Sequence, residues 1–515
     1  MFFALAALVF FVTLTAGQRG GPRRAVAVGW VGAAFLVPYW LQYGVGSMLI
    51  DLRTVAMCAV VILLISSPPK NTFRLTLADL LVIFLVLVQV VSQYHAGSFR
   101  PLTLPEICRK WVGPYLMGRT LLGSTDDIRD NISGIAKVIA VLTVLAVAEC
   151  FLQINFVNKA LGRTFSLLEA GEGYRWGLKR AHVTFDHPIF FGMGLVLLLP
   201  WAIEAARLAR EGQGPAWWKY LPWAMAAALF STVSRGPQIA GIATAGIYLF
   251  FRIPRLRIPF ALVAICGGLM ITAFKEELVD LLAVVAGEKS AEAEVRIIKI
   301  DGEDVEYTGT NHRVLLFRVY ADAIDKAGFF GSGSELKGVE VEEHLSQRFS
   351  SIDCHYLLFY LQHGKAAIAA FLILTAGILL ILGRLAFRRD LQQSALAAGL
   401  FGALLSVAVL LVSVWFSPDF SAIWLFSAGL AGRLHLLGQS KLVEKIDNAA
   451  APARLAEPSS PPARIRPIRH PANLDGVVLA GLTPQRPLDA ASTRPKTLTP
   501  MRTQPEAALP AEEAQ

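Results

Sequence analysis

Long apolar runs recur from the first residues of the chain to about residue 438. A helical run of about 18 or more apolar residues can cross a hydrocarbon layer roughly 30 Å thick. In lipid each backbone amide must be satisfied without water, so only helices and closed barrels can span. Barrel strands alternate apolar and polar residues. Segments such as LADLLVIFLVLVQVV (77–91) and GKAAIAAFLILTAGILLILG (364–383) do not alternate. The expected fold class is therefore an all-α polytopic membrane protein of about 12–13 transmembrane helices, with a large outward-facing loop between the late spans.

Composition agrees. Of 515 residues, 54% are hydrophobic and 17% charged, and the mean hydropathy is +0.51. That is too apolar for a string of soluble domains. The net charge of +9 sits mostly in short loops, where it orients a membrane protein, so no nucleic-acid partner is expected. The cysteines, Cys58, Cys108, Cys150, Cys266 and Cys354, have no metal-ligand spacing, and no disulfide framework is expected. At the N-terminus the charges follow the apolar run instead of preceding it, which reads as a first span and not a cleavable signal.

The expected spans are 2–16, 26–43, 47–66, 76–93, 102–122, 132–154, 187–206, 217–233, 236–251, 257–275, 356–383, 394–416 and 419–438. The segment 102–122 carries Glu106, Arg109 and Lys110, and also reads as a tilted or re-entrant helix. Basic stretches at 17–24, 67–74, 207–219, 252–257 and 384–390 all fall on one side, which the positive-inside rule makes cytoplasmic. Outward loops are then 155–186 and 276–355. In the second, Val314, Phe317, Ala321 and Ile324 recur at near-helical spacing. Residues 1–445 form the membrane domain. Residues 446–515, rich in Pro, Ala, Arg and Thr, are expected to be a disordered cytoplasmic tail.

Against this background a few polar residues stand out. Arg235 lies in STVSRGPQIAG, at the outer seam between two spans. An arginine there can snorkel to headgroups or present a bidentate fork to a phosphate. His312 and Arg313 open a loop helix, where a charge is ordinarily solvated. His355 stands where the large loop re-enters the membrane, and its imidazole can take a proton near neutral pH. It reads equally as a headgroup-level histidine. His363, on the same helix, is expected to lie two turns deeper as packing. Arg180 crowds the outer end of the span starting near 187, as a further anion contact. His182, Asp186 and His187 lack a third or fourth ligand of convincing spacing, so no metal is expected.

Four stretches carry a resemblance: RAHVTFDHPIFFG (180–192), SRG (234–236), HRVLLFR (312–318) before GFFGSG (328–333), and HYLLFYLQHG (355–364). In this order, over roughly 75–430, the chain resembles the O-antigen ligase and polymerase superfamily of bacterial envelope proteins. The resemblance implies a multi-pass glycosyltransferase of the bacterial inner (cytoplasmic) membrane. Its active face would be periplasmic and its C-terminus cytoplasmic. It would move glycan from undecaprenyl diphosphate to an acceptor hydroxyl, by an inverting, metal-independent reaction without cofactors. It also implies that Arg235 and Arg313 bind the diphosphate, with Arg180 and His312 as further substrate contacts, and that His355 is the general base. Tyr356 departs from the pattern, in which asparagine often follows this histidine.

The expected role is polymerisation of lipid-linked oligosaccharide units in O-antigen or exopolysaccharide (lipopolysaccharide-type) assembly. A flippase and a chain-length regulator are the expected protein partners, with membrane lipid around the spans. Two alternatives stay open at this level. One is ligation of glycan to lipid A-core or to protein. The other is a multi-pass transporter, which would need ionisable groups inside the spans; Asp79, Glu149 and Glu204 fall near span ends instead. A scaffold acting through its basic tail is a further reading.

Overall fold

The computed structural model describes residues 1–46, 48–68, 74–162, 173–274, 277, 296–300, 302–307, 311–336, 339, 345, 349 and 351–455, with 440–455 described by backbone alone. Residues Met1–Pro452 pack as one unit. The expected tail begins inside the last helix, Pro418–Leu455, and from 456 onward it lies outside the described residues.

Helices dominate among the described residues, whose strands form three two-stranded antiparallel hairpins. Among the described residues six helices are long and apolar enough to cross a membrane, and two shorter apolar helices, Leu52–Ser66 and Ser394–Leu410, accompany them. Of the other expected spans, 236–251 is the continuous helix Arg235–Arg252 and 257–275 the slightly shorter helix Arg257–Ala273, while 26–43, 102–122 and 217–233 are shorter or interrupted. Helix α1, Phe2–Arg24, kinks at Gly20 and Gly21, where Gly21 takes φ 73°. The chain then packs back along α1 through a π-helical turn, Ala25–Trp30, into α2, Val31–Leu36. Segment 103–120 is helix, π-turn and helix in succession, Thr103–Ile107, Cys108–Val112 and Gly113–Thr120.

Helix starts follow the sequence. Thr76 and Asp79 form a capping box at α4, Leu77–His95, which follows α3, Leu52–Ser66. The His187 side chain accepts the Ile189 amide at the start of Pro188–Arg210, with Pro188 in the first turn. Close helix contacts use small residues, as expected where lipid supplies no hydrophobic drive. Gly118 and Gly429 let Gly113–Thr120 and the last helix meet backbone to backbone. Trp30, Trp201 and Trp424 are fully buried in the core.

The acidic residues of the spans are tied into the architecture. Arg119 holds Asp79 with two hydrogen bonds, 2.8 and 3.0 Å, and Tyr115 adds a third at 2.8 Å. Glu149 accepts the Val183 amide at 2.8 Å and the Asn155 side chain at 2.9 Å. Glu204 pairs with Arg207 at 2.7 Å.

The near-helical spacing in 314–324 is realised as two helices, His312–Val319 and Ala321–Ala327, divided at Tyr320. Their buried face is Leu315, Leu316, Tyr320 and Ala323, while Val314 and Phe317 are exposed. One reading of the late region needs correction: 356–383, expected as one span. The helix His355–Phe387 contains a reversal at Gly364, φ 73° and ψ −171°. Sixteen residues of straight helix would put His355 about 24 Å from Phe371. Their rings are 5.0 Å apart. The stretch 355–363 therefore folds back against 365–387, and His363 stands about two turns along that short stretch from His355, next to the reversal.

Candidate active site

The site is built around a turn. Helix Ser394–Leu410 ends, and the chain continues without regular helix to Pro418. Two of the residues singled out in the sequence, His355 and Arg313, bond to Leu411–Val414, and the helix that Arg235 opens packs against the preceding helix. The backbone N–H of His355 donates to the carbonyls of Leu411 and Val414, at 2.9 and 3.1 Å. Arg313 Nε donates to the Ser413 carbonyl at 2.9 Å. Arg235 opens α11, Arg235–Arg252, which packs along Ser394–Leu410, and the neighbouring Gly236 faces Leu410.

The charges at this turn differ in their surroundings. Carbonyls at a helix C-terminus are negative by the helix dipole, so Arg313 is well placed there. Arg235 stands at the opposite kind of end, a helix N-terminus, where a cation is disfavoured. No hydrogen bond or ion pair to its half-buried side chain is present among the described residues. A guanidinium beside the free amides of a helix start has the chemistry that suits an anion. Arg180 joins it from the segment that precedes helix Pro188–Arg210. It is buried, and it donates to Ser234 Oγ at 3.0 Å, on the residue immediately before Arg235. Two backbone-directed bonds, Ala181 N to Ser231 O at 2.9 Å and Arg175 Nη1 to Val233 O at 3.3 Å, fix that segment against the 231–234 turn.

His355 is 4% exposed. Its ring lies 4.9–5.1 Å from those of Phe359, Phe371 and Phe416. Its Nε2 has no hydrogen-bond partner among the described residues. It borders a cleft of about 380 Å³ whose other walls come from α4 (Gln89, Gln93), from the 103–111 segment (Glu106, Lys110, Trp111) and from Trp415 and Phe416. His363 borders the same cleft, with Nδ1 3.1 Å from Ser92 Oγ. Arg180, Arg235 and Arg313 do not line it. The Leu410–Phe416 stretch thus carries cations at one part of its length and the histidine cleft at another.

His312 is placed differently. Its Nδ1 lies 3.1 Å from the Tyr307 hydroxyl, and its ring stacks on Phe349 with centroids 5.0 Å apart and planes 11° apart. These contacts belong to the core of the large loop, with Ile300, Leu316 and Phe349. Burial, reinforced by Arg313 and opposed by Asp353, holds its pKa below 6.5. The folded loop favours the neutral ring, whereas the unfolded loop takes up a proton near 6.5. This contribution to stability is present above that value and is lost as pH falls below it. Acidification from about pH 7.5 to about 5 should lower the protection of the loop amides, so that they exchange faster than their slowed intrinsic rates at acid pH would give. His312→Phe should remove that extra acceleration, and an identical response in the variant would show that another group senses pH.

The residues considered as metal ligands serve local structure. His182 Nδ1 meets the Phe185 carbonyl at 2.6 Å, and His187 caps its helix. No cluster of three or more metal-ligating side chains exists among the described residues. A charged network absent from the sequence reading lies beside the cleft. Asp51 binds Arg53 through two bonds of 2.9 and 3.0 Å and approaches Arg109 at 3.7 Å. Arg53 donates to the carbonyls of Pro418 and Asp419. It anchors the start of the last helix, just after the site turn.

These features define a helical membrane protein with an arginine-bearing edge beside a histidine cleft. Residues 221–372 match the family profile described as O-antigen ligase. The matched segment contains Arg235, Arg313 and His355, and the match supports the O-antigen ligase and polymerase superfamily, whose members are glycan-transferring enzymes. No curated protein matches the chain.

Proposed function

We propose that the chain is a membrane glycosyltransferase that polymerises lipid-diphosphate-linked oligosaccharide units in O-antigen or exopolysaccharide assembly. The observation that carries this reading is the Leu410–Val414 turn, which takes hydrogen bonds from both Arg313 and the backbone of His355. The donor diphosphate binds Arg235 and Arg313, with Arg180 steadying the Arg235 end. Its polyprenyl tail stays in lipid. The acceptor sugar enters the cleft, where Gln89, Gln93 and Glu106 offer hydrogen bonds and Trp111 and Trp415 offer flat apolar faces.

His355 takes the proton of the acceptor hydroxyl as that oxygen attacks the donor sugar C1. The C1–O bond to the diphosphate breaks on the opposite face, giving inversion. The bonding pair leaves with the phosphate, where the arginines meet the added charge. No step calls on a metal or cofactor. The site end faces the periplasm and the basic segments face the cytoplasm, which sets the C-terminus inside. A flippase supplying the donor and a chain-length regulator are the partners this chemistry calls for.

The profile description names ligation, so transfer to lipid A-core or protein is the second reading. Purified lipid-linked repeat units with no other acceptor separate the two. A polymerase makes a ladder, whereas a ligase makes product only when its acceptor is added. In the same assay Arg235→Ala and Arg313→Ala should each slow turnover by roughly 10²–10³-fold. Lysine at either position should restore only part of it, because an ammonium lacks the bidentate fork. Full activity in both alanine variants and in His355→Ala would end the enzymatic reading.

A further inference from the structure

At the end of the helices remote from the site, a groove of about 590 Å³ runs between α1, the returning segment Ala25–Leu36 and α7, Asp127–Leu152. Its place is set by Arg23, which bonds Asp127 at 2.8 Å, at the start of α7. Glu149, near the other end of α7, belongs to the site side. The lower walls of the groove are apolar: Phe11, Val28, Leu36 and Val141. Phe11 and Val141 are 64% and 44% exposed. Three cations, Arg19, Arg24 and Lys137, line it together with one carboxylate, Asp130.

Lys137 is the telling residue. It is exposed in the middle of IAKVIAVL, ten residues and so about 15 Å into α7. It falls inside the expected span 132–154, near the end expected to be cytoplasmic, where an ammonium reaches back toward the interface and is favoured by an anionic headgroup that meets it. Helical side chains lean toward the N-terminus, which brings Lys137 back toward the Arg19 and Arg24 end. Among the described residues none of the three cations makes a hydrogen bond or ion pair, whereas the adjacent Arg23 does. The kink at Gly20–Gly21 and the π-helical turn open the space between α1 and α7.

The geometry points to a binding site for an anionic glycerophospholipid, separate from the glycan site. One phosphodiester sits among Arg19, Arg24 and Lys137, and an acyl chain lies along Phe11, Val28 and Val141. Charge complementarity selects an anionic headgroup over a zwitterionic one. The apolar floor selects a lipid over a soluble phosphate.

The test uses the full chain, purified in detergent, mixed with phosphatidylglycerol or phosphatidylcholine and read by native mass spectrometry. Wild type should retain phosphatidylglycerol at least about tenfold better than phosphatidylcholine. The triple variant Arg19→Gln, Arg24→Gln, Lys137→Gln should lose that preference, and Arg255→Gln should keep it. Gly32→Leu gives an independent arm. A side chain at Gly32 meets open space at its first carbon and projects into the groove, so it blocks the chain while keeping every cation. It should also lose retention, and it decides the matter if the triple variant does not fold. Equal retention of both lipids, retention by Gly32→Leu, or displacement by free glycerol phosphate would each overturn the assignment.

Discussion

His355→Gln should leave a folded protein that still binds lipid-linked donor but turns it over about 10²–10⁴-fold more slowly, the usual contribution of a positioned general base. Glutamine keeps a polar planar end and fills much of the same space, but it accepts no proton. The backbone bonds of residue 355 to Leu411 and Val414 do not depend on the side chain, so the turn that holds Arg313 persists. The fall should therefore appear in kcat, with KM for donor little changed. Single-turnover transfer with labelled donor, alongside donor binding, makes the measurement. A variant that loses donor binding and keeps its rate at saturation would assign His355 to recognition and not to proton transfer. His363→Gln is the informative neighbour, because it borders the same cleft but is tied to Ser92.

What the sequence revealed of this site follows from the kind of signal each residue gives. Arg235, Arg313 and His355 are polar residues beside apolar runs, where a charge has to be explained, and two of them, Arg313 and His355, bond to one turn. Arg180 was legible for the same reason. The opposite wall of the cleft was not. Gln89 and Gln93 lie within an apolar run, one helical turn apart, and nothing local ties them to a histidine some 260 residues away. Their polarity inside a span was the available sign. Asp51, Arg53 and Asp419 each read as ordinary span-edge residues, and only the packing of the last helix against α3 makes them a network. His312 misled because it adjoins Arg313. On a helix, consecutive residues point about 100° apart, so Arg313 reaches the turn while His312 enters the loop core.

The span pattern was legible because apolar length is a property of the local sequence. The reversal inside 355–387 was hidden by that same property. QHGKAA continues a helical apolar pattern, and a lone glycine in a helix is tolerated at about 1 kcal/mol.

Gly364→Ala should be as damaging as loss of His355, by a different route. At φ 73° and ψ −171° the backbone occupies a region that only glycine enters readily. A methyl group there would press on the Phe329 carbonyl and come 2.6 Å from the Gly331 nitrogen. The two effects together cost several kcal/mol, from about 1–3 of backbone strain and about 1–3 of overpacking. The chain relieves that cost by straightening toward continuous helix, which carries His355 away from Phe371 and breaks its hold on Leu411 and Val414. It also frees the Gly331–Gly333 loop, whose neighbours Ser332 and Gly333 now donate to the Leu361 and Gln362 carbonyls at 2.9 Å. Gly364→Ala should therefore lower the melting temperature by several degrees, speed hydrogen exchange across 328–336, and abolish glycan transfer. His355→Gln should abolish transfer while leaving the first two nearly unchanged. That contrast distinguishes a residue that performs the proton transfer from one that places it. A Gly364→Ala protein with wild-type stability and activity would show that the fold-back is not what positions His355.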